Sequence, residues 1–345
     1  MINDINIRVV HTSEQIKQFI LQNLTQHQKD IIKATIRQFG LSRQAILKHM
    51  HTLIQEDRVV AHGKTRDRYY ELMPLVNYSQ SIDISNGFRP EKLIQDQIRP
   101  KLRHLPTNIR EICELSLSAL FNNVLNHSNG THLSYKIYVT QDEVHLLIND
   151  NGVGLFHKIN DAQNLQDNHL SAIEVAKGRV TSDPLNHAGE ELMTVLHLFE
   201  TGIIEATGLC LTFINKTSDW TLSESSQLKG TKIHLEIKTN SRRTCQEVFQ
   251  RIFNREKRSA RIPVKLARAN GEQLNSRTQA QSLVHNIKDL GEIEFDFKKI
   301  DLIGPAFADE LLRRAKEKNE NIEVSWINTT RTVDMLMSRA AKRFD

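Results

Sequence analysis

The sequence predicts a mixed α/β protein, α+β in its overall class, with three domains at residues 1–80, 81–240 and 241–345. Its 345 residues are enough for several separate hydrophobic cores. Helical apolar periodicity in the first part gives way to a short basic hairpin. The middle part has helices followed by clustered strands, which indicates an α/β sandwich, and the last part alternates strands with helices around a small sheet.

The composition is that of a globular chain, with 39% hydrophobic and 25% charged residues. Lys and Arg exceed Asp and Glu by 46 to 41. The basic residues are concentrated in 1–80 and 242–268, which is typical of a phosphate-facing surface or of a solvated helix face. Three separated cysteines, the lack of a long apolar run and the lack of a signal-peptide pattern lead us to expect a cytoplasmic protein without a membrane partner.

The first domain has the order of a winged helix-turn-helix. Helical periodicity covers Ser13–Leu24 and Lys29–Phe39, stops at Gly40, and restarts at Ser42, a good N-cap residue. Two β-prone runs joined by a Gly-containing loop then fill residues 58–72. Helix, turn, helix and basic hairpin follow one another as in that fold.

In such a domain the helix that begins at Ser42 would enter the major groove of DNA, and the hairpin would reach phosphate or the minor groove. The DNA-binding candidates are Arg43, Gln44, Lys48, Lys64, Arg66 and Arg68. The alternative is a protein-docking module whose helices only pack. The placement of the basic residues favours DNA.

The polar residues 77–86 predict a linker, and residues 155–187, which lack a sustained period, predict a functional loop such as a lid. The other elements that the pattern predicts are helices Arg89–Leu102 and Thr107–His127, hairpin strands Tyr135–Val139 and Val144–Ile148, helix Leu192–Phe199, strands Leu209–Ile214, Asp219–Ser223, Lys232–Ile237 and Val264–Ala267, helix Ser276–Asp289, strand Glu292–Phe297, helix Phe307–Glu317, strand Ile322–Trp326 and helix Thr332–Arg339.

The residues best suited to bind a ligand lie on an Asn-rich helix and in a Gly-rich loop. Ala119 and Asn123 are four residues apart and share a helix face. The amide oxygen of Asn123 suits Mg²⁺, which takes oxygen ligands and keeps several waters. Asp150 can accept the amine hydrogens of adenine, and Gly152 and Gly154 allow the backbone to approach the base closely.

A second glycine loop surrounds Gly189, just before an apolar helical run. Backbone N–H groups at such a helix start suit phosphate oxygens. Farther along, Gly230 and Thr231 open a β-prone run. Each of these motifs is weak alone, but their order and spacing together are specific.

These residues resemble the GHKL superfamily of ATP-binding domains, which includes gyrase, sensor histidine kinases and anti-sigma-factor kinases. The resemblance implies a Bergerat fold for residues 81–240 and the cofactors ATP and Mg²⁺, with Asn123 as the metal ligand and Asp150 as the adenine acceptor. The ATP-binding residues that it implies are Asn122, Asn123, Asn126, Asp150, Gly152, Gly154, Gly189 and Thr231.

The segments Asn275–Ala280 and Phe295–Leu311 resemble the STAS-like domain of unknown function, of the DUF4325 type, that often follows a GHKL ATPase in bacterial proteins. Some of those proteins also carry an amino-terminal winged helix. We expect a protein partner for this last domain and a homodimer. Gly304–Phe307 has no hydroxyl where a STAS substrate would carry its phosphorylated Ser, so we do not expect self-phosphorylation.

Ala119 stands where the family has a Glu that acts as the general base. A methyl group cannot accept a proton, and loss of a positioned base lowers a rate by about 10²–10⁴. Glu114 is about 140° around the helix and is a poor substitute. The chain is therefore either a weak or null hydrolase or carries an engineered Ala that traps ATP. A second departure is Glu191, which replaces a Gly and would repel triphosphate unless it turns to solvent.

The sequence thus predicts an ATP- and Mg²⁺-dependent regulatory switch that binds DNA, in which the nucleotide closes the lid and alters domain contacts or dimerisation. One alternative is an enzyme, either a GHKL ATPase or an anti-sigma-type Ser/Thr kinase, in signalling or phage defence. Another is a protein-interaction switch whose winged helix never meets DNA. The operator, the protein partner and the oligomeric state stay open.

Overall fold

The computed structural model describes residues 12–85, 87–178, 191–253, 259–268, 272–288 and 290–344, without the side chains of Arg66 and Phe253. The chain divides into two compact units. The first comprises Met1–Asn77 with Tyr138–Gln141, and the second comprises Tyr78–Ile137 with Asp142–Asp345. None of the described helices has the length and apolar character needed to cross a membrane.

The first unit contains three helices followed by an antiparallel hairpin, in the predicted order. Its elements are α1 (Ser13–Asn23), α2 (Ile31–Phe39), α3 (Arg43–Gln55), β1 (Val59–His62) and β2 (Tyr69–Leu72).

Local signals explain the turn between α2 and α3. Gly40 ends α2 in the left-handed conformation, with φ at 64°, which glycine adopts without strain. The hydroxyl of Ser42 accepts from the Ala45 N–H at 3.2 Å and caps α3. Ile46 and Leu53 of α3 are fully buried in the core of this unit.

The described residues include a seven-stranded sheet, almost all of it in the second unit, with the order β3-β4-β5-β9-β6-β7-β8. Its strands are β3 (Val76–Asp83), β4 (His132–Val139), β5 (Glu143–Asp150), β6 (Thr201–Ala206), β7 (Leu209–Ile214), β8 (Asp219–Glu224) and β9 (Thr231–Lys238). The central strand β9 runs antiparallel to both β5 and β6.

The described helices of this part are α4 (Pro90–Leu93), α5 (Arg99–Leu102), α6 (Thr107–His127), α7 (Leu155–Gln163), α8 (Asn168–Lys177), α9 (Glu191–Leu198) and α10 (Cys245–Phe253). Helices α6, α7 and α8 contact the sheet at β5, β6 and β7, and α4, α5 and α10 pack on other helices. A π-helical turn, Ile94–Ile98, joins α4 to α5. Along β5, the side chains of Val144, Leu146 and Ile148 are buried and their neighbours are half-buried, because successive residues of a strand point to opposite faces.

The remaining residues form a three-stranded parallel sheet, β10 (Ser259–Pro263), β11 (Glu292–Asp296) and β12 (Glu323–Ile327), with α11 (Arg277–Leu283), α12 (Pro305–Lys318) and α13 (Arg331–Ala341). Ionic contacts join this part to the large sheet. The buried carboxylate of Asp219 on β8 accepts from the Lys265 ammonium and, at 2.8 Å, from Lys299 Nζ.

Two sequence predictions in the second unit were wrong because burial differed from the expected pattern. Residues 77–86, predicted as a linker, lie largely in β3, an edge strand whose side chains alternate between half-buried and exposed. Most of its residues are polar, so the alternation is not visible as an apolar pattern in the sequence. The predicted loop 155–187 contains α7 and α8 in its described part. Seven consecutive residues of α8 are buried, so the helix lacks the one-sided apolar stripe that reveals a surface helix.

Other elements also differ from the prediction. Residues 264–267, predicted as a strand, form a 3₁₀ turn after β10. The helix predicted over Ser276–Asp289 ends at Leu283. Strands β6 and β10 and helix α10 were not predicted.

Candidate functional site

A pocket opens between α6, α7, α8, α9 and the ends of β5 and β9. Its walls are largely aliphatic, and a few polar groups interrupt them. The predicted residues Asn123, Asp150, Gly154 and Thr231 all line it. The other described lining residues are Leu120, Val124, His127, Ser128, Ile148, Leu155, Lys158, Ile159, Val175, Gly178, Glu191, Leu192, Met193 and Ile233.

The carboxylate of Asp150, the last residue of β5, is 4% exposed and is held by backbone donors. Its Oδ1 accepts from the Gly152 N–H at 2.8 Å, and its Oδ2 accepts from the Thr231 N–H at 3.2 Å. Burial raises the pKa of Asp150, and the hydrogen bonds from Gly152 and Thr231 oppose that rise. The Thr231 side chain also hydrogen-bonds to this carboxylate. An ionised carboxylate has about four acceptor sites, so acceptor capacity is left for a ligand.

The loop after Asp150 passes too close to its neighbours for side chains at two positions. A Cβ at Gly152 would lie 2.1 Å from the Ser128 carbonyl oxygen, and one at Gly230 would lie 1.8 Å from the carbonyl oxygen of Asp150. Gly230 N–H donates to the Gly152 carbonyl at 2.8 Å. Gly152 is not among the residues described as lining the pocket. The absence of a side chain at this position allows the loop to pack against Ser128 at the end of α6.

Thr231 makes a second hydrogen bond between β9 and the segment that follows Asp150. Its hydroxyl accepts from the Leu155 N–H at 2.9 Å, at the first residue of α7. Gly154, immediately before that residue, has φ at 90°. Thr231 is thus hydrogen-bonded both to Asp150, which lines the pocket, and to the first residue of α7.

One face of α6 reaches the pocket. Asn123 and His127, one turn apart, both line it, whereas Asn122 and Asn126 are not among the described lining residues. Asn126 is exposed. The structure therefore brings Asn123 and Asp150 together in one pocket, whereas Asn122 and Asn126 are not among the residues described as lining it.

Ala119 lies one turn before Asn123, is half-buried, and is also not among the described lining residues. Glu114 is unsuited to replace a base there because its carboxylate accepts from Arg99 Nε at 3.1 Å and from Arg99 Nη2 at 2.8 Å.

The charged groups at the pocket edge include one that sequence reasoning missed. Lys158 on α7 lines the pocket, and its only sequence signal is its place four residues after Gly154. Glu191, the first residue of α9, also lines the pocket and is an exposed residue. Gly189 and its loop lie outside the described residues.

Comparison with protein families identifies the last part of the chain. Residues 279–334 match the family described as a STAS-like domain of unknown function (DUF4325). The match begins within α11 and includes β11, α12 and β12. No curated protein matches the chain.

The STAS-like domain contacts α8, which also forms part of the pocket. The buried Lys177 ammonium donates to Glu174 Oε1 at 2.5 Å and to the carbonyl oxygen of His285 at 2.9 Å. Burial lowers the pKa of Lys177, and Glu174 opposes that fall. Val175 and Gly178, beside this pair, line the pocket. One helix therefore connects the pocket wall to the STAS-like domain.

The predicted DNA-binding residues lie on the first unit. Arg43, Gln44 and Lys48 are exposed on α3. Lys64 and Arg68 are exposed beside the turn of the hairpin, and the Arg68 guanidinium lies 5.5 Å from the centre of the Tyr70 ring. The side chain of Arg66 lies outside the described part.

We expect Gly230→Ala to destabilise the second unit by more than about 1 kcal/mol, because it adds a Cβ at positive φ in a position that the Asp150 carbonyl occupies. Gly208→Ala is the matched control, since Gly208 also has positive φ (83°) but its nearest atom would be 3.8 Å away. Chemical denaturation measures both free energies of unfolding. Equal decreases in the free energy of unfolding of the two variants would show that the close approach of Gly230 to the Asp150 carbonyl does not contribute to stability.

Proposed function

We propose that the chain is an ATP- and Mg²⁺-dependent regulatory switch in which a GHKL-type domain at residues 81–240 follows a DNA-binding winged helix-turn-helix at residues 1–80. The observation that carries this proposal is the convergence of Asn123, Asp150 and Thr231, from three distant parts of the sequence, on one pocket. Those are the residues that the resemblance assigns to metal, adenine and the closing strand.

The chemistry of the pocket suits an adenine base. The fixed Asp150 carboxylate retains acceptor capacity for an exocyclic amine, and its protein donors keep it in place without a ligand. Aliphatic side chains such as Ile148 and Val175 supply apolar walls for a flat ring. Lys158 adds a positive charge at the edge, which is favourable for phosphate.

Asn123 would hold Mg²⁺ through its amide oxygen, with waters and phosphate oxygens as the other ligands. The metal would draw the phosphates toward α6 and neutralise part of their charge. Glu191 at the same pocket edge opposes phosphate binding unless its carboxylate points to solvent, where its exposure allows it to turn.

Binding rather than turnover is the favoured activity of this chain. Ala119 offers no proton acceptor one turn before Asn123, and the carboxylate of Glu114 is engaged by Arg99. We infer slow hydrolysis and a long-lived ATP complex, which suits a switch whose state is read by other domains.

Nucleotide binding would affect the STAS-like domain through helix α8. A ligand shifts an equilibrium only by its different affinity for the two states. Because α8 lines the pocket and holds the STAS-like domain through Lys177, a nucleotide that favours one position of α8 also favours one arrangement of this contact. A homodimer or a protein partner on the STAS-like domain would respond to that arrangement.

Asp150→Asn should weaken Mg·ATP binding about tenfold to a hundredfold, since a hydrogen bond to a charged group contributes about 1.5–3 kcal/mol and the amide would also face a backbone donor. Isothermal titration calorimetry measures the change. Asp142→Asn, which removes an exposed carboxylate from the hairpin turn, is the control. An unchanged Kd in a folded Asp150→Asn protein would contradict the adenine assignment.

Ala119→Glu should raise ATP turnover by about 10²–10⁴, the contribution of a positioned base. Ser118→Glu places the same group one residue earlier, about 100° around the helix, and should not raise it. Phosphate release under saturating Mg·ATP measures both. If Ala119→Glu binds ATP but gains no turnover, this position is not that of a missing base.

Neutralising Arg43 and Lys48 together should weaken DNA binding and reduce the slope of log K against log salt by about 1.8, the value for two lost phosphate contacts. Electrophoretic or fluorescence titrations over a range of salt concentrations measure this slope. Replacing Lys92 and Arg103, exposed cations of the second unit, gives a charge-matched control. An unaltered slope after the first change would favour the protein-docking alternative for α3.

A further inference from the structure

The open face of the seven-stranded sheet, opposite the packed helices, carries a compact group of metal-ligating side chains. His145 on β5 lies directly across from Glu236 on β9, and His234 is two residues before Glu236 on the same strand. Side chains two apart on a strand share a face, and so do directly paired residues. The three side chains therefore meet on one surface, and all three residues are half-buried.

Their potential ligand atoms form a nearly equilateral triangle. His145 Nδ1 is 3.2 Å from His234 Nε2 and 3.5 Å from Glu236 Oε1. His234 Nε2 is 3.3 Å from the same Glu236 oxygen. Hydrogen bonds among these three side chains can support this arrangement. The nearly equal distances between the three atoms also match the distances between ligand atoms that bind a single small cation.

We propose that His145, His234 and Glu236 bind a divalent transition metal ion of the zinc class, through His145 Nδ1, His234 Nε2 and Glu236 Oε1. Zinc bonds to nitrogen and oxygen are about 2.0–2.2 Å, so two ligands of a tetrahedral ion lie about 3.3–3.6 Å apart. The three separations in the structure, 3.2, 3.3 and 3.5 Å, differ from this range by about 0.1 Å at most. Metal binding would therefore need almost no rearrangement of the strands.

A fourth side chain supports the choice of nitrogen atoms. Glu143 Oε2 lies 3.4 Å from His145 Nε2, the ring nitrogen that faces away from the triangle. A metal-bound histidine usually donates its other N–H to a carboxylate, which fixes the ring and its tautomer. Glu143 thus favours the tautomer that leaves the Nδ1 lone pair for the metal.

The ligand set favours a transition metal over Mg²⁺ or Ca²⁺. Two imidazoles with one carboxylate suit divalent transition metals such as Zn²⁺, Co²⁺ and Fe²⁺, whereas Mg²⁺ and Ca²⁺ prefer oxygen alone. Three protein ligands leave a fourth position for water or another ligand. The ion would fasten β5 to β9, whose pocket ends carry Asp150 and Thr231, and it would do so independently of any nucleotide.

The test uses the full chain after treatment with a chelator, titrated with Zn²⁺ and Co²⁺ in the absence of nucleotide. We expect one equivalent to bind, a visible Co²⁺ spectrum of tetrahedral type without thiolate charge transfer, and a higher Tm with excess Zn²⁺. His234→Ala should abolish the Co²⁺ spectrum. His104→Ala, which removes an exposed histidine elsewhere in the unit, should leave it unchanged. Glu143→Gln should keep the stoichiometry and weaken affinity about 10–100-fold.

Glu236→Gln, which keeps the size of the side chain, provides a second variant if His234→Ala does not fold, and it should weaken Zn²⁺ binding at least tenfold. The proposal is overturned if the chelated protein binds no metal in a saturable way. It is equally overturned if the stoichiometry and affinity persist in a folded His234→Ala or Glu236→Gln protein, since the ion would then be held by other residues.

Discussion

The buried carboxylate of Asp150 is the constraint on which the candidate site depends. A carboxylate that is almost removed from water must be hydrogen-bonded, and here the donors are backbone N–H groups at the start of the adjoining loop and at the start of β9. These bonds join the ends of β5 and β9 and hold the loop between them under the last turn of α6. Glycines at 152 and 230 follow from this arrangement, because a Cβ at either position would collide with a backbone carbonyl.

The strand pair β5–β9 has a different role on each of its faces. Toward the helices it presents apolar residues and ends in Asp150 and Thr231, which line the pocket. Toward the open face it presents His145, His234 and Glu236. The same antiparallel register therefore places the pocket residues on one face and the three metal-ligating residues on the other. A shift of the pairing by one residue would move side chains from each face of the sheet to the opposite face. At the pocket, α8 connects the wall to the STAS-like domain through Lys177.

The sequence predicted elements well where local signals were strong. The caps at Gly40 and Ser42 define the turn of the first unit, β7 has a clear apolar run, and β9 alternates apolar and polar residues. It did not reveal β3, whose residues are polar, or α8, which is buried on nearly every side. Asp150, Asn123 and Thr231 could be chosen from spacing and resemblance, but which residues of α6 face the pocket could not. The closeness of Lys158 and Ser128 to them depends on how distant elements pack.

A structure determined with bound Mg·ATP would show directly whether this pocket holds the nucleotide. We predict that the exocyclic amine of adenine lies within hydrogen-bonding distance of an Asp150 oxygen and that Asn123 coordinates Mg²⁺ beside the phosphates. Adenine bound away from Asp150, or a metal held without Asn123, would contradict it.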